Sequence, residues 1–308
     1  MHGRLKVRTT EEQQLLKKKE QQKKLQAYRL GMKQILNSRK PDTYDPESFA
    51  ICSQLLVVNP DIYTLWNYRK EVVLIEIIAN SNTEETEKLS SFLENEMRLT
   101  EQCLLANPKS YSSWHHRYWI LEHHPEANWK KEFDLCTKYL LMDDRNFHCW
   151  DFRRLVLNKV GITLGDEIKF STDRLNINFS NYSSWHYRST LQSLTEACVE
   201  DELSLVKSAL FTDPADSSAW FYLRWVLSNQ LINTAHKQDL LDNLNQLLEI
   251  EPECRWILVA KCWLIQDLHA DESHYTNEQI NSYRKLEELD VLRKGLYSDK
   301  LKTLIPAS

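Results

Sequence analysis

Apolar residues in this chain recur three and four positions apart, in runs of a few turns separated by short polar breaks. That is the period of an amphipathic helix. The pattern predicts helices over 45–58, 63–79, 94–106, 111–122, 129–142, 147–159, 167–175, 182–193, 197–211, 217–228 and 237–250, which pair off as hairpins. Another helix is expected over 11–39, where Leu25, Tyr28, Met32, Ile35 and Leu36 form one stripe, and a last one over 277–301. Five glycines and no alternating β-branched runs argue against sheet. The fold class is all-α.

One sentence of sequence is written five times. Its clearest copy is Asn107-Pro-Lys-Ser-Tyr-Ser-Ser-Trp114-His-His-Arg117, and the others centre on Trp66, Trp150, Trp185 and Trp220. Each tryptophan stands seven residues after an opening Asn or Asp, and the tryptophans are spaced 48, 36, 35 and 35 residues apart. The polar stretch 80–85 explains the longer first spacing. Such a period predicts stacked helical hairpins, none able to bury its apolar face alone, hence a right-handed superhelical solenoid. The expected organisation is an N-terminal arm and packed helix (1–40), repeats (41–265; five clear, one degenerate, lacking the tryptophan after Glu251) and capping helices (266–308). Gly161 and Gly165 are expected to end the third repeat.

The letters of the template have physical reasons. Asn-Pro stops the preceding helix, because proline cannot continue it and disfavours helix in the residue before it. Ser110, Asn146, Asn181 and Asp216 can each cap the next helix; Ile62 cannot. The Trp and Arg, three residues apart on that helix, read as core and inter-repeat glue, with the guanidinium paired to a neighbour's carbonyl or carboxylate.

Function is sought where the template varies. Lys109 and Arg145 precede helix N-termini, whose free N–H groups already favour an anion. With Tyr111 and His148 they can form a small anion-facing patch; a solvated lysine and a core histidine are the plainer alternative. The runs Lys17–Lys19 and Lys23–Lys24 can meet RNA or lipid headgroups, but the wet face of a docked helix accounts for them better.

A net charge of −5 gives no general reason to expect nucleic acid. Seven cysteines never fall in a C-x-x-C spacing, so neither a disulfide frame nor a local zinc site is indicated. No apolar run approaches a membrane span and the N-terminus lacks a signal core, so a cytoplasmic protein is expected.

Tandem Asn-Pro-x-Ser/Asn-Tyr-x-x-Trp-x-x-Arg resembles the repeat of protein prenyltransferase α subunits, over residues 45 to 265. The opening Met1-His-Gly-Arg-Leu-Lys-Val-Arg-Thr-Thr-Glu-Glu-Gln13 is similar to the members that modify Rab GTPases. The resemblance implies a prenyltransferase subunit active only with a β subunit, which holds the zinc and the lipid pocket; this chain itself has no cofactor. It also implies geranylgeranyl diphosphate at the interface and Rab GTPases delivered by an escort protein. By residue match Lys109 and Tyr111 sit where the family's α subunit reaches the diphosphate, and His148 with Phe147 matches the next repeat's site-facing pair, although Phe147 lacks a hydroxyl that farnesyltransferase-type subunits offer. The family places the N-terminal arm near the partner's active site, where His2 can reach the β-subunit zinc. Larger animal members carry an immunoglobulin-like insert and leucine-rich repeats; the run from Trp220–Leu227 into Lys237 leaves no room for the insert, and the sequence stops at Ser308. Two alternatives are weighed: the α subunit shared by farnesyl- and type I geranylgeranyltransferases, and a non-catalytic tetratricopeptide-like scaffold. Phe147 and the opening string count against the first, and the 35–36 period against the second.

Overall fold

The computed structural model describes residues 10–80, 86–191, 194–268 and 273–305. They form α1 (Glu11–Ser38), α2 (Pro46–Val58), α3 (Tyr63–Ala79), α4 (Thr86–Ala106), α5 (Tyr111–His123), α6 (Trp129–Met142), α7 (Phe147–Val160) and α8 (Leu164–Ile177). Then come α9 (Tyr182–Leu191), α10 (Val199–Thr212), α11 (Ser217–Leu227), α12 (Thr234–Ile250), α13 (Arg255–Leu268), α14 (Ser273–Leu289), a 3₁₀ turn (Val291–Arg293) and α15 (Lys294–Leu304). No strand occurs among the described residues. The chain divides into two compact units, Met1–Lys138 with Asp151–Val160, and Tyr139–Trp150 with Gly161–Ser308.

In the first unit a core of Ile35, Cys52, Leu56, Leu65, Trp66, Val72, Leu99 and Cys103 joins α1 through α4. Gly31 lets α1 approach α2 closely: a Cβ there would lie 3.0 Å from Ile51 Cγ2 and 3.2 Å from Leu55. The expected stripe docks only from Tyr28 onward, since residues 11–27 are exposed on every side and Leu25 and Leu36 face solvent. Thr10 opens the helix with a capping box closed by Gln13.

The second unit packs Trp185, Val206, Leu210, Trp220, Leu223, Leu244, Ile257 and Leu264 into one core. A smaller cluster of Leu258, Cys262, Tyr283, Leu286 and Tyr297 seats α14 and α15 on α13.

Among the boundaries that differ from the sequence expectation, three have a local reason. The helix expected from Glu94 already starts at Thr86, because Phe92 and Leu93 extend its apolar stripe and Phe92 stacks on Phe49 at 5.8 Å. Gly161 does end α7, in the left-handed region at φ 65°, but Gly165 lies inside α8, whose cap is Thr163. The single stretch 277–301 breaks at Asp290. Its buried carboxylate accepts from Arg293 at 2.7 Å and from the Tyr297 hydroxyl at 2.9 Å, which turns the chain between α14 and α15.

Candidate diphosphate-facing turns

The opening Asn or Asp of each repeat shapes the turn between two helices. Its N–H closes the preceding helix, as Asn107 does on Cys103 O at 2.8 Å and Asp143 on Tyr139 O at 2.9 Å. In four of the five repeats its side-chain oxygen then accepts from the backbone N–H two residues on: Asn59 from Asp61 (3.2 Å), Asn107 from Lys109 (3.2 Å), Asp143 from Arg145 (3.2 Å) and Asp213 from Ala215 (3.0 Å).

The tryptophan fixes the same turn from below. Every template indole N–H donates to the carbonyl six residues back: Trp66 to Pro60 (2.8 Å), Trp114 to Pro108 (2.9 Å), Trp150 to Asp144 (2.9 Å), Trp185 to Phe179 (2.6 Å) and Trp220 to Pro214 (2.9 Å). That bond explains why the spacing never varies. The cap of the following repeat can share the acceptor, as Ser110 does on Pro60 O at 3.2 Å and Asn181 on Asp144 O at 2.8 Å. Ser110, Asn146, Asn181 and Asp216 all cap as expected, and Ile62 makes no side-chain cap bond.

Lys109 therefore sits on a turn held on both sides, between the Pro108 carbonyl and the Ser110 cap. Its side chain is exposed, and Tyr111, the first residue of α5, is 68% exposed. Both belong to the first unit. In the second, Arg145 is exposed and donates to Ser180 O at 3.3 Å. His148 is only 6% exposed, its ring 4.0 Å from that of Phe147, itself 46% exposed. So Lys109, Tyr111 and Arg145 present their side chains to solvent, and His148 is covered. His2 lies outside the described residues. Among those described, no three His, Cys, Asp or Glu side chains group closely enough to hold a metal ion, and no helix is long and apolar enough to cross a membrane.

Within each unit the template arginines enter buried ionic hubs. The carboxylate of Glu96 accepts from Arg69 and, at 3.1 Å, from His116. Glu202 accepts from Arg188 (2.8 Å) and Tyr222 (2.6 Å) in the same way. Arg117 grips Glu132 through two bonds of 2.6 and 2.7 Å. The template arginine is the inter-repeat glue expected of it. Burial alone raises the Glu96 carboxyl, but Arg69 and His116 outweigh it and hold it below the usual range. Burial likewise pushes His116 down. Its Nδ1 has no partner, which suits a neutral ring donating from Nε2, since Nδ1 then carries only a lone pair.

The repeat model described as protein prenyltransferase alpha subunit repeat matches residues 45–75, 93–124, 129–160, 164–194 and 199–230. The chain belongs to the protein prenyltransferase α-subunit family. Geranylgeranyl transferase type-2 subunit alpha of Sus scrofa is 43% identical over 240 residues, 74% of this chain and 42% of that protein, and the Homo sapiens protein matches equally. This chain thus spans about two fifths of the length of those mammalian relatives. The Dictyostelium discoideum protein of the same name is 35% identical over 96% of this chain and 98% of its own. Among solved structures, Candida albicans protein geranylgeranyltransferase-I complexed with GGPP shares the fold, with a TM-score of 0.70 at 20% identity over 89% of each chain.

Within this prenyltransferase repeat, sequence reasoning missed the glutamates, although a signal exists. Glu96, Glu132, Glu167 and Glu202 all stand 20 residues before the ring that follows their tryptophan by two, namely His116, Phe152, Tyr187 and Tyr222. The first repeat has Ser48 at that place, and the buried Tyr68 hydroxyl accordingly has no partner.

Proposed function

We propose that this chain is the α subunit of a heterodimeric Rab geranylgeranyltransferase. It helps transfer the geranylgeranyl group of geranylgeranyl diphosphate to C-terminal cysteines of Rab GTPases presented by an escort protein. The observation that carries this reading is the end-to-end likeness to the Dictyostelium type-2 α subunit, which 98% of that protein's length supports. In this reading the β subunit holds the prenyl pocket and a zinc ion, which supplies the acceptor cysteine as a thiolate.

This chain's part is electrostatic. As the bond from C1 of the prenyl group to diphosphate breaks, negative charge grows on the departing oxygens. An ammonium beside them stabilises that state more than the ground state. Lys109 supplies it from a turn whose backbone is already fixed, so little ordering is left for the reaction itself. The N-terminus of α5 adds its dipole in the same direction. Tyr111 and His148 are the further donors; His148 is covered in this chain alone, so the test rests on Lys109.

Single-turnover transfer by the purified heterodimer measures the effect. Lys109→Ala is expected to slow transfer by about 10- to 10³-fold, with binding of the escort–Rab complex little changed. Lys109→Arg should recover part of the rate and Lys109→Gln should not. Equal rates for Ala and wild type would refute the role of Lys109; failure of the chain to copurify with a zinc-bearing β subunit would refute the function itself.

A further inference from the structure

Two departures from the repeat template meet in one cavity of the second unit. In the fifth repeat Leu223 takes the slot three residues after Trp220 and is fully buried, so the arginine is displaced to position 224. Arg224 cannot enter the ionic hub. It is exposed instead, with its guanidinium 4.9 Å from the centre of the Trp263 ring. The second departure is Trp256 of α13, 8% exposed, whose indole N–H has no acceptor, unlike the five template indoles.

Both residues line a cavity of about 360 Å³ between α11, α13, α14 and α15. Most of its wall is aromatic and aliphatic, with Phe221 edge-on to Trp256 at 5.4 Å and Tyr283 stacked on Tyr297 at 6.3 Å, and Gln266 is its one neutral amide. Three cations, Arg224, Arg293 and Lys300, line it and no carboxylate does. Asp290 neutralises Arg293 at 2.7 Å, whereas no described carboxylate lies within salt-bridge distance of Arg224 or Lys300. The lining residue Leu296 is 56% exposed, and the 3₁₀ turn that brings Arg293 to the cavity also carries Val291 and Leu292, 70% and 98% exposed.

A small hydrophobic hollow with two unmatched cations favours an apolar group that carries negative charge. Those three exposed aliphatic side chains need an occupant broader than the hollow, which favours a polypeptide over a metabolite. We propose that this cavity seats an acidic segment of a partner protein, an apolar side chain entering the hollow and a carboxylate pairing with Arg224 and Lys300. The site uses none of the residues assigned to the diphosphate.

The full-length chain, labelled with ¹⁵N at its indole nitrogens, would be titrated with the acetylated and amidated pentapeptide Ser-Leu-Phe-Asp-Glu. The resonances of Trp256 and Trp263 are assigned from Trp256→Phe and Trp263→Phe. Both should move saturably, and the Asn-Gln version of the peptide should bind at least about tenfold more weakly, as loss of a charge-assisted bond predicts. Arg224→Gln and Lys300→Gln should each weaken binding by about tenfold while leaving the thermal melt unchanged. Indole resonances that stay still at millimolar peptide, or that move equally with the amide peptide, would overturn the proposal. So would the same shifts with inorganic pyrophosphate alone, which would make this a small-anion site.

Discussion

At the scale of single residues, the hub around Glu96 shows how one slot of the template accepts different chemistry. The ring two residues after the tryptophan is His116 in the second repeat and Tyr187 or Tyr222 later, and each bonds the glutamate of its own repeat. The packing is nearly the same: His116 lies 4.5 Å from Trp66, and Tyr187 and Tyr222 lie 4.7 Å from Trp150 and Trp185. Only histidine titrates near neutrality. Because burial lowers His116 in the fold, the unfolded chain binds its proton more readily, and protons favour unfolding. Stability from this group is thus present above the unfolded histidine pKa of about 6.5 and lost as pH falls below it. His116→Tyr should keep the bond to Glu96 and flatten the decline in denaturant midpoint between pH 7 and 5. A mutant whose slope matches wild type would show that His116 is not the responsible group.

At the scale of elements, helix ends decide more than helix interiors. Pro46, Thr163 and Asn233 start α2, α8 and α12 with signals that lie outside the repeated sentence. Among the described glycines Gly161 is the one whose backbone demands it, at φ 65° with nothing within 4 Å of a built Cβ. The cost of a side chain there is conformational and not steric. Gly161→Ala should destabilise by about 1 kcal/mol, read as a shift in urea midpoint, and Gly161→Asn by less. A loss of several kcal/mol would mean that the side chain meets a neighbour. The caps were legible from residue type, whereas the start of α4 was not, because the polar residues ahead of Leu93 mask a stripe that only packing on Phe49 reveals.

At the scale of the whole molecule, hairpins within each unit are completed by their neighbours. Trp150 bonds its own turn, then packs on Phe170 of α8 and Tyr187 of α9, all within the second unit. Trp150→Ala should cost about 3–5 kcal/mol, because the indole leaves a cavity that stacked helices close poorly. In a repeat array the damage should reach adjoining hairpins, so amides of α8 and α9 should exchange faster than those of α13. Uniform exchange across the unit would indicate a single cooperative block.

The sequence by itself determined the all-α class, the number of clear repeats, the caps and the burial of every template tryptophan. Those follow from period and residue type, which act over a few neighbours. It also marked Lys109 as a position that varies on an otherwise fixed turn and set Tyr111 beside it in one candidate patch, and both are exposed. The tertiary structure decided what depends on distant partners. It paired Arg69 with Glu96 and Arg188 with Glu202, covered His148, left the first seventeen residues of α1 unpacked and broke the last helix at Asp290. The carbonyl that receives each indole N–H lies only six residues away, yet nothing in the letters names it as an acceptor. Burial and pairing are properties of the space between elements, and no period along the chain encodes them.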